Sequence, residues 1–421
     1  MPKSLLAEIA DELRPDSQPE AVEAFIKDVN SRLRRCRFAA KAVAGGSLEK
    51  GTFIKGDFDV DIFVIFAKSY AKKNLSDLLE RAIKPLKPVR LHGSRDYFQV
   101  KRELCYEVVP VLAIKNAKEA ANLTDVSPLH ARWVKAKIKA KPRLADEIRL
   151  AKKFCKAQLC YGAESFIGGL SGHVLDILVI HYSSFPRFIA AAAKWKQGQV
   201  IDSENYHKGK ALFNLNKSKL GPLIVIDPMQ PDRNAAAALS EAKFVRLKEA
   251  AQRFLKKQDR SFFTLPSFVP PKHAVIITVV PESDKYDVAG AKLKHAFAMM
   301  LREVERLGFK AKQAAWAWDS EATFAFVLRK SSIAAPFTVA GPLASQGMHA
   351  ERFRRAHKNT FAKAGRLFAR ERRAITTAPK LAERLRSLSF DGVMIKKKER
   401  KNPQKSLCEG KIVDSLIFKY Y

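Results

Sequence analysis

Along residues 19–35, Val22, Phe25, Ile26, Val29 and Leu33 fall at steps of three and four. That spacing predicts a helix with one buried face, and Pro19 suits its first turn. The next stretch, AAKAVAGGSLEKGTFIKG, brings paired glycines and a serine. FDVDIFVIF then alternates and is rich in branched residues, as a strand is. Residues 74–86 carry a second helical pattern, and LCYEVVPVL at 104–112 is a second short strand running into Pro110. Helix, Gly/Ser corner, strand, helix and strand make a small α/β unit.

From about residue 117 the texture turns helical, with apolar repeats near 3.6 over 145–160 and 172–194. The stretch KKQDRSFFTLPSFVPPK has three prolines and no steady period, which suits a linker with a boundary near 260. Beyond it come a strand (AVIITVV), a helix over 288–307 with Leu293, Phe297, Met300, Leu301, Val304 and Leu307 on one side, and another strand (ATFAFVL). The fold class expected is therefore α+β and multidomain: an α/β head over 1–115, a helical neck and body over 116–258, and an α+β tail over 272–421 ending in a basic segment. No repeat of fixed period is present.

Composition narrows the function. Apolar residues make up 47% of the 421 and charged ones 29%, which excludes a mostly disordered chain. Lys and Arg number 77 against 43 Asp and Glu, a net +34, and such a field concentrates polyanions. Nucleic acid is the partner this favours. In the tail, Arg352, Arg354, Arg355, Lys358 and Arg366 interleave with Phe353, Phe361 and Phe368. They read as a helix with a packed apolar side and a cationic side along a phosphate backbone, and the lysines of 396–405 as an electrostatic extension. Five cysteines form no CxxC pair, so neither a disulfide framework nor a thiolate zinc site is indicated. Glu8, Asp11 and Glu12 interrupt the first apolar stretch, and no window approaches ~18 uncharged apolar residues. A soluble cytoplasmic protein without a membrane span is expected.

The chemistry concentrates at Gly45-Gly46-Ser47 and Asp59-Val60-Asp61. In a strand, positions i and i+2 share a face, so Asp59 and Asp61 project together while Phe58, Val60 and Ile62 face the other way. Two adjacent carboxylates repel, and a divalent cation such as Mg²⁺ relieves that. Glu107, on the second strand among apolar neighbours, is the candidate third ligand. Three carboxylates around two ions are what phosphoryl transfer asks for. Ser47, after two glycines that let a ligand approach the backbone, is placed to meet triphosphate oxygens.

The run GGSLEKGTFIKGDFDVDIFVIF resembles the signature of polymerase-beta-like nucleotidyltransferases. More narrowly it resembles the class I, archaeal-type CCA-adding enzymes. SPLHARWVKAKI, EIRLAKKFCKAQLCYGAESFIGGLSGHVLDILVIHYSSF and DPMQPDRNAAAALS support the narrower match. The resemblance implies a polymerase-beta-like head, tRNA as acceptor, CTP and ATP as donors, and two Mg²⁺ ions on Asp59, Asp61 and Glu107; it leaves a homodimer open. It places nucleotide contacts on Ser47, Lys50, His130, Lys152 and Tyr161, and the reading of the incoming base on Arg233, beside Asp227 and Asn234. Two positions depart from the pattern: the third carboxylate is usually Asp, and Lys50 is usually Arg.

Taken singly, these residues have plainer readings. Lys152 reads as a solvated lysine, His130 as a cap or turn residue, Tyr161 as a helix end before Gly162, and Arg233 with Asn234 as a helix-start contact. SFIGGLSG lacks the G-K-[ST] ending of a phosphate loop, and Ser171 reads instead as an N-cap. No histidine pair has zincin spacing. The alternatives that keep the same carboxylates are a poly(A) polymerase or oligoadenylate-synthetase relative. A catalytically degenerate RNA-binding homologue is the alternative outside enzymes.

Overall fold

The computed structural model describes residues 4–57, 59–266, 274–283, 285–396 and 411–417. Phe58 and the lysines of 397–405 lie outside the described residues. The chain divides into two units, Met1–Pro266 and Ser267–Tyr421.

In the first unit, α1 (Leu5–Leu13) and α2 (Glu20–Arg35) lead into β1 (Ala40–Ala44), the short α3 (Gly46–Lys50) and β2 (Val60–Phe66). Then follow α4 (Leu75–Ile83), β3 (Val89–Leu91), β4 (Tyr97–Lys101) and β5 (Cys105–Leu112). The sheet order is β1-β2-β5-β4-β3, with β2 and β5 parallel and the other pairs antiparallel. The alternation in β2 buries Val60, Ile62, Val64 and Phe66 against Val22, Phe25, Val29 and Leu33 of α2. That face fixes the register, so Asp61 must project from the opposite face. The edge strand β1, AKAVA, is too alanine-rich to announce itself, and it forms by pairing with β2. β5 runs through Pro110 to Leu112, as the apolar stretch predicts. Its ladder with β4 stops at Val108, so the proline, which cannot donate, sits where β5 has a neighbour on one side only.

The rest of this unit comprises α5 (Ser127–Ala140), α6 (Leu144–Ala157), α7 (Gly172–Tyr182), α8 (Phe185–Ala192), β6 (Gln199–Ile201), α9 (Ala211–Asn214), β7 (Leu223–Val225) and α10 (Glu241–Lys256). The single helix expected over 172–194 is two helices bent by 98°. Ser183 takes a left-handed φ of 67°, Ser184 caps α8, and Pro186 in the first turn of α8 has no N–H to continue α7. Among the described residues no single helix is long and apolar enough to cross a membrane. α7 is apolar almost all round because it runs through a core with Phe154, Phe185, Phe188 and Phe254. α1 joins that core through Ile9 and Leu13, and Arg14 pairs with Asp146 of α6 at 2.5 Å.

The second unit is built on β8 (Val275–Pro281), α11 (Tyr286–Arg306), β9 (Ala311–Trp318), β10 (Ala322–Leu328), β11 (Pro336–Leu343), α12 (Gly347–Ala356), β12 (Thr360–Lys363), β13 (Arg366–Arg372), α13 (Ala378–Arg386), β14 (Val393–Ile395) and β15 (Lys411–Ile417). An antiparallel sheet β14-β8-β10-β9-β15 packs Phe324 and Phe326 against Phe297 of α11. The basic Phe-bearing stretch is not one helix. α12 stops at Ala356, and Phe361 and Phe368 stack across the β12/β13 hairpin at 5.6 Å. Its turn, Ala364-Gly365, has φ of 47° and 74°, which no helix tolerates.

Phe154 is fully buried and its ring contacts those of Phe185, Phe254, Phe262 and Phe263. Phe154→Ala is expected to destabilise the chain by about 3–5 kcal/mol, seen as a lower midpoint in urea unfolding followed by circular dichroism.

Candidate active site

The Gly/Ser corner is shaped by its contact with an acid. The Gly45 N–H donates to the Asp61 carbonyl at 2.8 Å, and Gly46 has a left-handed φ of 52°. A Cβ on Gly46 would lie 1.7 Å from Asp61 Oδ2, so only glycine lets the turn close over that carboxylate. Asp61 and Glu107 stand opposite each other in the parallel β2/β5 pair. Burial, then the charge of Asp59, pushes the Asp61 carboxyl up to about 6; burial, then Asp61 and Asp59, pushes Glu107 up to about 7. Among the described residues no basic side chain forms an ion pair with Asp59, Asp61 or Glu107. Acidic oxygens crowded without a partner suit a hard divalent cation such as Mg²⁺, and these three residues would hold it.

Asp59, Asp61, Ser47, Lys50, Lys152 and Tyr161 line one cavity of about 190 Å³. Lys152 is not a solvated lysine. Its side chain is buried, and Nζ donates to Thr52 Oγ1 at 3.0 Å and to the Thr52 carbonyl at 3.2 Å. Burial lowers its pKa to about 8 against the opposing pull of Asp176. Asp176, fully buried on α7, takes Lys50 Nζ at 2.5 Å on Oδ2, with Lys152 Nζ 3.8 Å from Oδ1. Burial pushes this carboxyl up, yet Lys50 and Lys152 outweigh it and keep Asp176 ionised. Tyr161 does not end a helix, since α6 stops at Ala157. Its ring lies under Lys156 Nζ, 5.1 Å from the centroid, and burial raises its hydroxyl pKa.

His130 and Arg233 are not among the residues lining that cavity; they meet on Asp227. His130 Nε2 and Arg233 Nη1 contact the two oxygens of Asp227 at 2.9 and 2.8 Å, and the Met229 N–H adds a bond at 2.8 Å. Burial works against this charge, but the His130 hydrogen bond leads the contacts that hold the carboxyl well below its usual range. An ionised carboxylate only accepts, so His130 carries its proton on Nε2. His173 stacks on His130 at 4.0 Å; among the described residues neither ring nitrogen has a hydrogen-bond partner, Nε2 lying 4.0 Å from Asp227 Oδ2, and burial lowers its pKa to about 3. His130, His173 and Asp227 bring ligand-type atoms within 4.8 Å of one another. Asp227 is already occupied by the donors above, which leaves little room on its oxygens for an ion.

The first turns of α7 join the two clusters: Gly172 lines the cavity, His173 packs on His130, and Asp176 holds the lysines. Ser171 caps that helix as its sequence suggests, accepting from the Val174 N–H at 3.2 Å. Sequence reasoning passed over Asp176, His173 and Thr52. Asp176 had a signal, being the single charge within the apolar run VLDILVI.

A family model for nucleotidyltransferase domains matches residues 22–127, and one for the second domain of tRNA nucleotidyltransferases matches residues 146–264. The chain has fold similarity to Cid1, an RNA terminal uridylyl transferase, at TM-score 0.51 and 14% identity, covering 63% of this chain and 98% of that one. This is the fold of the nucleotidyltransferases. The CCA-adding enzyme of Nanoarchaeum equitans is 36% identical over 272 residues, 63% of this chain and 67% of its own length. That of Sulfurisphaera tokodaii is 31% identical over 308 residues, 70% of this chain and 72% of its own, and that of Saccharolobus shibatae 28% over 338, 78% of each. The chain belongs to the CCA-adding enzymes, a family of tRNA nucleotidyltransferases.

Gly46→Ala tests the corner. The new methyl must displace Asp61, and a shift of about 1 Å lowers nucleotidyl transfer by about a hundredfold, while far-UV circular dichroism stays that of the parent.

Proposed function

We propose that this protein completes the 3′ end of tRNA without a template, adding C, C and A from CTP and ATP and releasing pyrophosphate. The observation that carries the reading is the facing pair Asp61 and Glu107, with Asp59 beside them, under the Gly45-Gly46-Ser47 corner. In this reading Asp59, Asp61 and Glu107 bind two Mg²⁺ ions, which when bound make the attacking hydroxyl more acidic and offset charge on the leaving pyrophosphate. The chain's own groups orient the reactants. The Ser47 hydroxyl and the Lys50 and Lys152 ammonium groups face the triphosphate, with Tyr161 closing that side of the cavity. His130, whose Nε2 is committed to Asp227, presents its other ring nitrogen, Nδ1, and Arg233 offers its remaining N–H groups to the edge of the incoming base. The 3′-hydroxyl of the tRNA attacks the α-phosphate in line.

The domain roles follow the same reading: residues 1–115 are the catalytic head, 116–258 complete the nucleotide pocket, and 272–421 grip the tRNA. The exposed Arg352, Arg354, Arg355, Lys358 and Arg366 support that last role.

Labelled CTP and ATP with a tRNA lacking its terminal CCA test the function. Addition is expected to stop after three residues. Unlimited addition of A alone would make the protein a poly(A) polymerase, and tRNA binding without incorporation a degenerate homologue. Asp61→Asn should reduce the rate by about a thousandfold or more, the equivalent of several kcal/mol of transition-state stabilisation.

A pH dependence follows from the raised carboxyls. The folded chain holds extra protons on Asp61 and Glu107 between their ordinary values and about 6 and 7. Their contribution to stability is therefore full in acid and lost as pH rises through those values. Above pH 7 both are ionised and Mg²⁺ relieves the repulsion; at pH 5 the ion must displace protons. The rise in thermal midpoint on adding Mg²⁺ is expected to be larger at pH 8 than at pH 5, and to shrink at pH 8 in Asp61→Asn.

A further inference from the structure

Residues 205–220, NYHKGKALFNLNKSKL, carry four lysines and no acid. They hold the most exposed large apolar side chain among the described residues, Phe213 at 89%, next to Leu212 at 50%. The exposure is not that of a slack loop. Ala211 and Leu215, one helical turn apart, are buried with Ile224 and Ile226 in a small core of their own, so the same backbone that anchors inward turns Phe213 outward. Both ends of the segment are strapped to one turn. Tyr206 Oη donates to the Pro228 carbonyl at 2.9 Å and His207 Nε2 meets the Pro231 carbonyl at 2.7 Å. On the other side, Lys219 Nζ donates to the Asp232 carbonyl at 3.2 Å and Asn234 Nδ2 to the Lys219 carbonyl at 2.9 Å. That turn carries Arg233. Phe213 thus lies midway along a rigidly held segment braced on the element assigned to base reading.

An exposed ring on a segment with four lysines and no acid of its own, the preceding Asp202 being taken up by the Tyr206 and His207 N–H groups, has the chemistry of a platform for single-stranded nucleic acid, where a base stacks on the ring and lysines take its phosphates. An acidic protein surface would use the lysines but leave the ring in water. A lipid surface would need a larger apolar face than two side chains. We propose that the 205–220 segment is an RNA-docking platform on which an unpaired base near the 3′ end of the acceptor strand stacks against Phe213, with Lys208, Lys210, Lys217 and Lys219 on the adjoining phosphates. The inference rests on the reading of tRNA as the acceptor and adds to it a binding surface outside the catalytic cavity.

The test uses the full chain and a tRNA lacking CCA. In Phe213→Ala the KM for tRNA is expected to rise about tenfold, the loss of one stacked base, with the KM for CTP and the thermal midpoint unchanged; Phe213→Trp should restore the parent value. Replacing Lys208, Lys210, Lys217 and Lys219 together by Glu should flatten the salt dependence of tRNA binding. Three results would overturn the proposal: an unchanged KM for tRNA in Phe213→Ala, a change confined to the KM for CTP, or conversion of a dimer to a monomer in sedimentation, which would make Phe213 a contact between copies. Failure of the parent protein to incorporate CTP would instead sink the CCA-adding reading. Direct binding of labelled tRNA to Asp61→Asn with and without Phe213→Ala would then still decide on the platform.

Discussion

The structure depends on holding like charges in register. Directly opposed side chains of the same sign weaken a strand pair, yet Asp61 and Glu107 face each other where β2 and β5 are joined. What enforces the arrangement is the other side of the sheet. Val60, Ile62, Val64 and Phe66 are buried there with Phe98, Val100 and Val108, and a slip of one residue would turn them out and the acid in. Apolar burial on one face thus stabilises a repulsive set on the other. The Gly45-Gly46 turn presses on Asp61 so closely that the carboxylate has few other places to go.

The helical part of the same unit answers with opposite charge. A buried lysine is expensive unless paired, and Lys152 reaches the cavity only because Thr52 and Asp176 receive it. Asp176 serves Lys50 as well, through one oxygen at 2.5 Å. An arginine at position 50 would offer a planar fork to that carboxylate, whereas lysine is a compact charge that rests on a single oxygen. The short reach explains how Lys50 keeps its place with one partner. Among the described residues Asp176 Oδ1 then has no hydrogen bond but lies 3.8 Å from Lys152 Nζ, so one acid keeps both ammonium groups beside the cavity.

Much of this was legible in the chain. The period of two around Asp59 and Asp61 predicts a shared face; both line one cavity, although β2 begins only at Val60, and the acid expected among apolar neighbours, Glu107, stands opposite Asp61. Helix α2 follows its apolar period, and strand β10 the apolar run ATFAFVL, almost to the residue. The misses have physical causes. Periodicity ran through Ser183 because the apolar spacing continues; the break is set by a left-handed residue and a proline, which a count of apolar positions ignores. The basic stretch around Phe353–Phe368 mimics a helix in composition, but its Ala364-Gly365 turn decides for a hairpin. His130 and Arg233, read as contacts to a nucleotide, gave no hint that they share Asp227, because a convergence of residues 97 and 6 positions away from a single acid is a property of the fold.

That shared acid bears on how a base is chosen without a template. A template fixes the donor pattern by pairing; in the proposed reading the protein must fix it by rigidity. Asp227 is pinned by the Met229 and Gln230 N–H groups, and Asn234, at the far end of the turn, is pinned by the Val225 and Ala236 N–H groups and by the Leu223 carbonyl. Arg233 lies between these two anchors with one nitrogen committed to Asp227 and its side chain about a third exposed. A guanidinium has five N–H donors in a fixed plane, so committing one fixes the direction of the others. In the proposed reading, the edge offered to CTP and then to ATP is therefore set by a buried carboxylate that touches neither nucleotide. A change from one base to the other must come from how the RNA end and the nucleotide sit against that edge.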